Sequence, residues 1–494
     1  MQNPKKCIEE IDCLNQWRRY QATLSFILYA AIKKLSPQSS LRIEHSISRG
    51  FYCSLNRKII DKDLMAIDLK MRELIRADLP IIRRVLTRTK AIRLFEKYKQ
   101  KDKVRLLKNI TLDKIPVYEL DKLFDMYPNP PFERTRMVDK FYLTNFPPGF
   151  IIIFPNWNNL DSLPPYIPQP KLARIFNEYL NWVQILGITD IADLNQAIKN
   201  GQGSDIIRVS EALHEKKIVY IADRITSEKR RVILIAGPSS SGKTTFTKRL
   251  SVQLMVNGYR PILISTDDYF LPHSKTPKDK FGRLDFESIR AVDITLMNKH
   301  LLAIIRGEKV LLPKFNFVTG KRLAGQLVQL PRNGIVMVEG IHCLNEELTP
   351  LISKNIKFKI YISALTQLNI DDHNRISTTD TRMMRRIVRD THYRGYTVQG
   401  VLTQWGRVRT GEEQNIYPFQ EEADEMFNSA LLYESAVLKK YCTPLLRKVK
   451  NNDPFYPEAK RLLDYFAYFY DLDNRDVPSN SILREFIGGS SFVY

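Results

Sequence analysis

One eight-residue segment constrains this chain more than any other: Gly237-Pro238-Ser239-Ser240-Ser241-Gly242-Lys243-Thr244. It fits the spacing G-x-x-x-x-G-K-[ST] in full. A β-branched apolar run, Val232 to Ala236, precedes it, and a helical run, Phe246 to Met255, follows. In that setting the glycines let backbone N–H groups curl around phosphate oxygens, and the helix N-terminus adds its dipole. Lys243 is then placed to reach the β- and γ-phosphates of ATP, and the Thr244 hydroxyl to ligate Mg2+. Together with Thr245, these residues are the expected ATP-binding segment. At average residue usage the four fixed positions would match by chance about 0.02 times in 494 residues.

The surrounding pattern predicts the fold that carries the loop. Val232–Ala236, Pro261–Ser265, Ile335–Val338 and Phe358–Ile362 are short apolar runs separated by helical stretches. Continuous apolar strands of this kind form a parallel sheet covered by helices on both faces, an α/β fold of the P-loop NTPase type. Ligands of such sheets bind beyond the carboxyl ends of the strands. Asp267 follows the second run, and a carboxylate there can accept the proton of an attacking hydroxyl. Its neighbour Asp268 is read as a helix cap. Glu339 follows the third run, where a magnesium-holding or water-positioning acid belongs. Residues 380–394 read as a helix bearing Arg382, Arg385, Arg386 and Arg389, with Arg394 close behind. Arginine supplies positive charge to a transferring phosphoryl group without risk of deprotonation. Lys243, Asp267, Arg385 and Arg389 are therefore the expected catalytic groups, and Arg394 an ATP contact.

Residues 1–145 mix helix and strand and predict a smaller α+β domain ahead of the sheet. Ala22–Leu35 and Leu64–Leu79 read as helices, the second stopped by Pro80. Residues 146–228 are a proline-rich boundary followed by a helical connector, and 229–494 the phosphate-binding domain with a C-terminal extension. The five cysteines are widely spaced and form no CxxC pair, which fits reduced thiols and argues against structural zinc. No apolar run approaches the roughly 18 residues needed to span a bilayer. The start also lacks an apolar signal core, so the cytoplasm is the expected location. The net charge of +22 suits nucleic acid, an anionic surface or phosphate-bearing substrates, and does not choose among them.

From residue 231 to 446 these motifs resemble, in order, the uridine kinase and phosphoribulokinase family. The resemblance rests on the phosphate loop, Ser265 to Phe270, Pro313-Lys-Phe-Asn-Phe317, Val338-Glu-Gly340 and Arg385-Arg-Ile-Val-Arg-Asp390. Gly411-Glu-Glu, Pro418 to Asp424, Met426 to Ala430 and the tail Ser481 to Ser491 resemble a bacterial nucleoside kinase subgroup. The resemblance implies that Asp267 is the general base and that Asp285 ligates ribose hydroxyls. Phe315 and Phe317 would wall the base, beside Tyr269 and Phe270, and Arg385 to Arg394 would form a mobile lid. Thr244 and Glu339 would hold Mg2+. Two departures stand out: Gly320 occupies the place where pyrimidine-specific members carry histidine, and Asp285 to Asp293 is two residues longer than the family pattern.

The first 145 residues resemble the editing-type second domain of threonyl-tRNA synthetase. Ala31 to Pro37, His45 to Tyr52, Arg76 to Pro80 and Thr89 to Glu96 carry that likeness. Ala22, Phe26, Tyr127 and Pro131 stand where that domain keeps metal ligands, so neither zinc nor editing chemistry is expected.

Three functions remain open on the sequence. The first is ATP-dependent phosphorylation of a nucleoside 5′-hydroxyl, uridine- or cytidine-like. The second keeps the chemistry and changes the acceptor to a sugar, a sugar phosphate or another alcohol. The third is an ATP-sensing RNA-binding or regulatory protein. The expected cofactors are ATP and Mg2+. The expected partners are the small hydroxyl substrate and further copies of the chain, with no membrane and with RNA left open by the charge.

Overall fold

The computed structural model describes residues 4–279, 282–366 and 368–493. The chain opens with helix α1 (Pro4–Leu35), whose turns from Leu24 to Ile32 are almost wholly buried. The hairpin β1 (Leu41–Ile47) and β2 (Gly50–Leu55) follows, then α2 (Asp61–Arg76). Helix α2 buries Leu64, Ile67, Met71, Leu74 and Ile75, one stripe at helical spacing, against α1 and its sheet. Strand β3 (Ile81–Thr87), helices α3 (Arg88–Lys97) and α4 (Lys101–Lys108), β4 (Lys114–Leu120) and β5 (Leu123–Asp125) build a separate antiparallel sheet, β3-β4-β5.

Strands β6 (Tyr142–Phe146) and β7 (Gly149–Ile153) complete the first sheet in the order β1-β2-β7-β6. That sheet therefore runs past residue 145, where composition turns proline-rich. Strand period explains why it is buried on both sides. Phe150, Ile152 and Phe154 enter the core of α1 and α2, whereas Ile151 and Ile153 face the opposite way. On that second face His45 stacks on Phe176 with ring centroids 3.8 Å apart, and burial lowers its pKa to about 3. Phe176 belongs to α5 (Pro170–Leu186), which starts on a proline and ends at Gly187, φ 64°. Helices α6 (Ile191–Lys199) and α7 (Gly203–Ser227) finish the connector.

The central sheet contains β8 (Val232–Ala236), β9 (Arg260–Ser265), β12 (Gly334–Glu339), β13 (Lys357–Ser363) and β14 (Glu425–Asn428). Their order is β14-β13-β8-β12-β9, and every neighbouring pair is parallel. Alternate residues of β8 serve different cores. Ile233 and Ile235 join the helices α7, α8 (Lys243–Val256), α10 (Thr378–Tyr393), α11 (Val398–Asn415) and α12 (Glu434–Leu446). Val232, Leu234 and Ala236 join α5 and α9 (Ile294–Ile305). Both faces are covered, and the apolar runs read as continuous for that reason. Between α9 and β12 an antiparallel hairpin, β10 (Val310–Asn316) and β11 (Lys321–Val328), stands apart from the sheet. Helices α13 (Tyr456–Phe466) and α14 (Arg484–Ile487) end the chain's described part. No described helix is long and apolar enough to cross a membrane.

The N-terminal region is stitched to the loop before α10. Ile43 N–H donates to Asp372 O at 2.8 Å, Asn369 Nδ2 to Ile43 O at 2.8 Å, and Asn374 Nδ2 to Met126 O at 2.8 Å. At the centre Lys103, fully buried, pairs with Asp125 at 2.7 Å and Asp371 at 3.1 Å. His373 Nδ1 lies 2.7 Å from the second oxygen of Asp125. Burial opposes the Lys103 charge, and the surrounding carboxylates overcome it, holding its pKa well above the ordinary value. Removing one partner of a buried pair strands the others. Lys103→Met should therefore destabilise the chain by about 3–5 kcal/mol in urea unfolding; a loss below about 0.5 kcal/mol would contradict this reading of the interface.

Candidate active site

The site forms where β8 turns into α8. Gly237 is required there, because a Cβ at that position would lie 2.0 Å from Ile362 O. Gly242 and Ser240 take left-handed conformations, φ 84° and 58°. The resulting loop opens onto a cleft of about 600 Å3. Ser239 to Thr244, Asp267, Glu339, Arg389 and Arg394 all line it. Lys243 Nζ donates to Gly237 O at 2.8 Å and Pro238 O at 3.2 Å. The hydroxyls of Ser240 and Ser241 are buried and have no protein partner. Together with the helix N-terminus, those donors fit a phosphate chain.

Two carboxylates stand at adjacent strand ends. Thr244 Oγ1 donates to Glu339 Oε1 at 3.3 Å, and Thr247 Oγ1 to Glu339 Oε2 at 3.4 Å. A hydroxyl beside a carboxylate, with phosphate oxygens and water completing the shell, is the sparse protein ligation that Mg2+ accepts. Asp267, one strand over, projects into the cleft. Burial by surrounding protein raises the pKa of Asp267, lifts Glu339 to about 7 and lowers Lys243.

Asp268 serves the framework. Its Oδ1 accepts from Phe315 N at 3.2 Å and lies 3.3 Å from Lys314 Nζ, fixing β10 to the end of β9. Tyr269 is fully buried with its hydroxyl 3.1 Å from His300 Nδ1, and it does not line the cleft. Phe270 does, and meets Phe286, Phe315 and Phe317 edge-on at centroid distances of 5.4, 5.8 and 5.9 Å. Phe317 lines the cleft, whereas Phe315 supports it from behind at 4 % exposure. Asp285 is not part of the lining; its Oδ1 accepts from Glu287 N at 3.1 Å. Gly320 forms the turn between β10 and β11 with φ 63°, and a Cβ there would fall 2.1 Å from His273 Nδ1.

The arginines of α10 divide into two groups. Arg382 is buried and bidentate to Glu412, at 2.6 and 2.5 Å, while Glu412 accepts from Ser239 N at 2.9 Å. Arg385 is likewise buried, bound to Glu434, to Ser429 O at 2.8 Å and to Ser240 O at 3.4 Å, so it props the loop from beneath. Arg389 and Arg394 reach the cleft, both drawn toward Asp390, at 2.8 and 3.6 Å.

These motifs match the family model of the Phosphoribulokinase / Uridine kinase family over residues 232–432. A uridine kinase from Borreliella burgdorferi is 30% identical over 198 residues, covering 39% of this chain and 84% of that protein. One from Deinococcus deserti is 29% identical over 174 residues, 35% of this chain and 75% of that protein. The chain belongs to the phosphoribulokinase/uridine kinase family. It is an ATP-dependent phosphotransferase with a hydroxyl acceptor, and membership implies the general use of ATP and Mg2+. A second likeness lies outside the kinase region: a threonine–tRNA ligase from Aquifex aeolicus is 32% identical over 160 residues, 31% of this chain and 23% of that protein. In that region Phe26 and Tyr127 pack with ring centroids 5.5 Å apart.

The kinase cleft also contains acids to which the motifs assign no role. Glu412 and Glu485 line it, and Glu485 accepts from Thr245 Oγ1 at 2.7 Å. Glu485 sits on α14, and Ile482, just ahead of that helix, closes over Gly242, so the tail seals the phosphate loop. Glu287 lines the cleft near Gly411, and burial lifts its pKa to about 7. A raised acid binds protons more tightly in the folded state, so its stabilising contribution is complete below about pH 4.3 and is lost as pH rises through 7. Glu287→Gln should melt at a higher temperature than wild type at pH 8, by up to roughly 2–3 kcal/mol of stability, and show little gain at pH 4. An equal effect at both pH values would contradict the buried-carboxylate assignment.

Proposed function

We propose that this kinase transfers the γ-phosphoryl of ATP to the 5′-hydroxyl of a nucleoside, uridine- or cytidine-like. The observation that carries the reading is an aromatic wall set beside a carboxylate in the same cleft as the phosphate loop. Phe270, Phe286 and Phe317 present ring faces and edges suited to a planar base. Asp267 shares that cleft and accepts the proton of the attacking hydroxyl. Its raised pKa keeps it a better base than an exposed aspartate. Glu287, whose carboxylate accepts no hydrogen bond from any described residue, is placed to accept hydrogen bonds from sugar hydroxyls. His273 supports the nucleoside reading despite Gly320, because its ring already holds the space beside that turn and packs 5.6 Å from Phe286.

Lys243 and Arg389 offset the charge that develops on the transferring phosphoryl. Thr244 and Glu339 would hold Mg2+, which when bound would neutralise phosphate charge. Arg394, at the C-terminal end of α10, adds a cation at the mouth of the cleft. Arg382 and Arg385 keep the loop and helix in register through Glu412 and Glu434.

Incubating the protein with ATP-Mg2+ and separate nucleosides, sugars and sugar phosphates tests the proposal. Uridine or cytidine should yield a 5′-monophosphate with matching ADP release. Lys243→Ala should lower kcat/KM by about 10²–10³-fold, with an unchanged far-UV spectrum. Turnover only with a sugar acceptor would replace the nucleoside reading. Tight, steeply salt-dependent RNA binding without turnover would replace the kinase reading.

A further inference from the structure

A second cavity, about 110 Å3, lies between the N-terminal region and the kinase domain, away from the phosphate loop. Its walls come from α1, β1, β2, the loop before α10, α10 itself, α11 and α13. Four arginines line it: Arg18, Arg375, Arg409 and Arg461. Two of them are fully engaged. Arg18 is bidentate to Glu458 at 2.8 and 2.9 Å, and Arg461 is bidentate to Asp380 at 2.8 and 2.9 Å.

The other two are not. Arg409 is 9% exposed, yet its guanidinium donates no hydrogen bond to any described residue. It is held between the rings of Trp17 and Trp157, at 5.5 and 5.0 Å from their centroids. The nearest carboxylate, Glu413, is 3.9 Å away and already accepts from Trp157 Nε1 at 2.7 Å. Arg375 rests over Phe51 at 4.6 Å, and its one hydrogen bond is a long contact of 3.5 Å to Ile376 O. Arg409 is buried and Arg375 half-buried, and a guanidinium drawn out of water with so few hydrogen-bond partners is costly. Burial lowers the pKa of both arginines, Arg375 to about 10.

Helix α10 starts at the same cavity. Ser377 and Thr379 are in the lining, and Ser377 makes no side-chain capping bond. The positive end of a 16-residue helix therefore adds to two cations, neither of which is hydrogen-bonded to a carboxylate among the described residues. The acids nearby are committed elsewhere: Asp380 to Arg461, Glu458 to Arg18, and Asp125 to Lys103 and His373.

We propose that this interdomain cavity is a binding site for a compact oxyanion, a phosphate or a small carboxylate. Planar guanidinium forks and helix-end N–H groups are the donors that such groups accept most readily. The volume suits a group of that size and excludes a nucleotide. A bound anion would bridge Arg375 ahead of α10 to Arg409 on α11, and so join the N-terminal region to two helices that also touch the phosphate loop.

The test uses the full chain with its phosphate loop held by Mg2+ and a non-hydrolysable ATP analogue. Inorganic phosphate and acetate are then titrated separately by calorimetry. One saturable event with either anion is expected, and the stronger of the two arms identifies the group. Arg375→Gln and Arg409→Gln should each weaken that event at least about tenfold while leaving affinity for the ATP analogue unchanged. A retained melting transition confirms that each variant folds, and if one does not fold, the other decides. No saturable event for either anion, or full affinity in a folded variant, overturns the proposal. Neither result depends on which acceptor the kinase phosphorylates.

Discussion

Everything in the cleft depends on one charge, the Lys243 ammonium, placed among carboxylates in a setting that solvates none of them well. Burial lowers its pKa, and Glu339, Asp267, Glu485 and Glu412 act against that, in that order of weight. The same burial raises Asp267 and Glu339. A site of this kind is tuned by which carboxylates carry a proton. A divalent cation favours the ionised form of whichever acid it meets. Thr244 points to Glu339 as that acid, since the two side chains already touch across α8 and β12. Asp267 is left to face the aromatic half of the cleft.

The supports of that arrangement come from distant parts of the chain. Glu412 on α11 accepts from Ser239 N and from both ends of the Arg382 fork, so one carboxylate fixes the loop and α10 together. Glu434 on α12 holds Arg385, which itself reaches Ser240 O in the loop. The tail adds Ile482 against Gly242 and Glu485 against Thr245. The N-terminal region is built into this frame through Lys103, Asp125 and Asp371, and through a sheet face shared with α5.

The elements legible in the sequence are those set by local pattern. The strands at 232, 334 and 357 declare themselves because burial on both faces leaves no polar alternation, and the edge strand at 260, although partly exposed, still carries the apolar run Ile262 to Ile264. The phosphate loop is legible because its geometry demands glycine at fixed spacing. Strand β14 was not legible: it has four residues, Glu425–Asn428, and exists because β13 offers an open edge. The β10–β11 hairpin was hidden by Pro313 in one arm and by a largely exposed surface in the other. In α10 the helical period puts several arginines on related faces, but it cannot say which meet a buried acid. That depends on Glu412 and Glu434, far along the chain. Glu287 belongs to no motif, and only the approach of Gly411 reveals its place.

The division of work between the two strand-end acids is the central claim, and magnesium titration of steady-state rates in two variants tests it most directly. A lost base lowers kcat at every magnesium concentration, because its interaction grows in the transition state. A lost metal ligand raises the magnesium requirement. Asp267→Asn should bind the acceptor nearly as wild type does and stay slow throughout the titration, whereas Glu339→Gln should recover part of its rate as magnesium rises. Recovery of Asp267→Asn, with Glu339→Gln unresponsive, would show that the two roles are reversed.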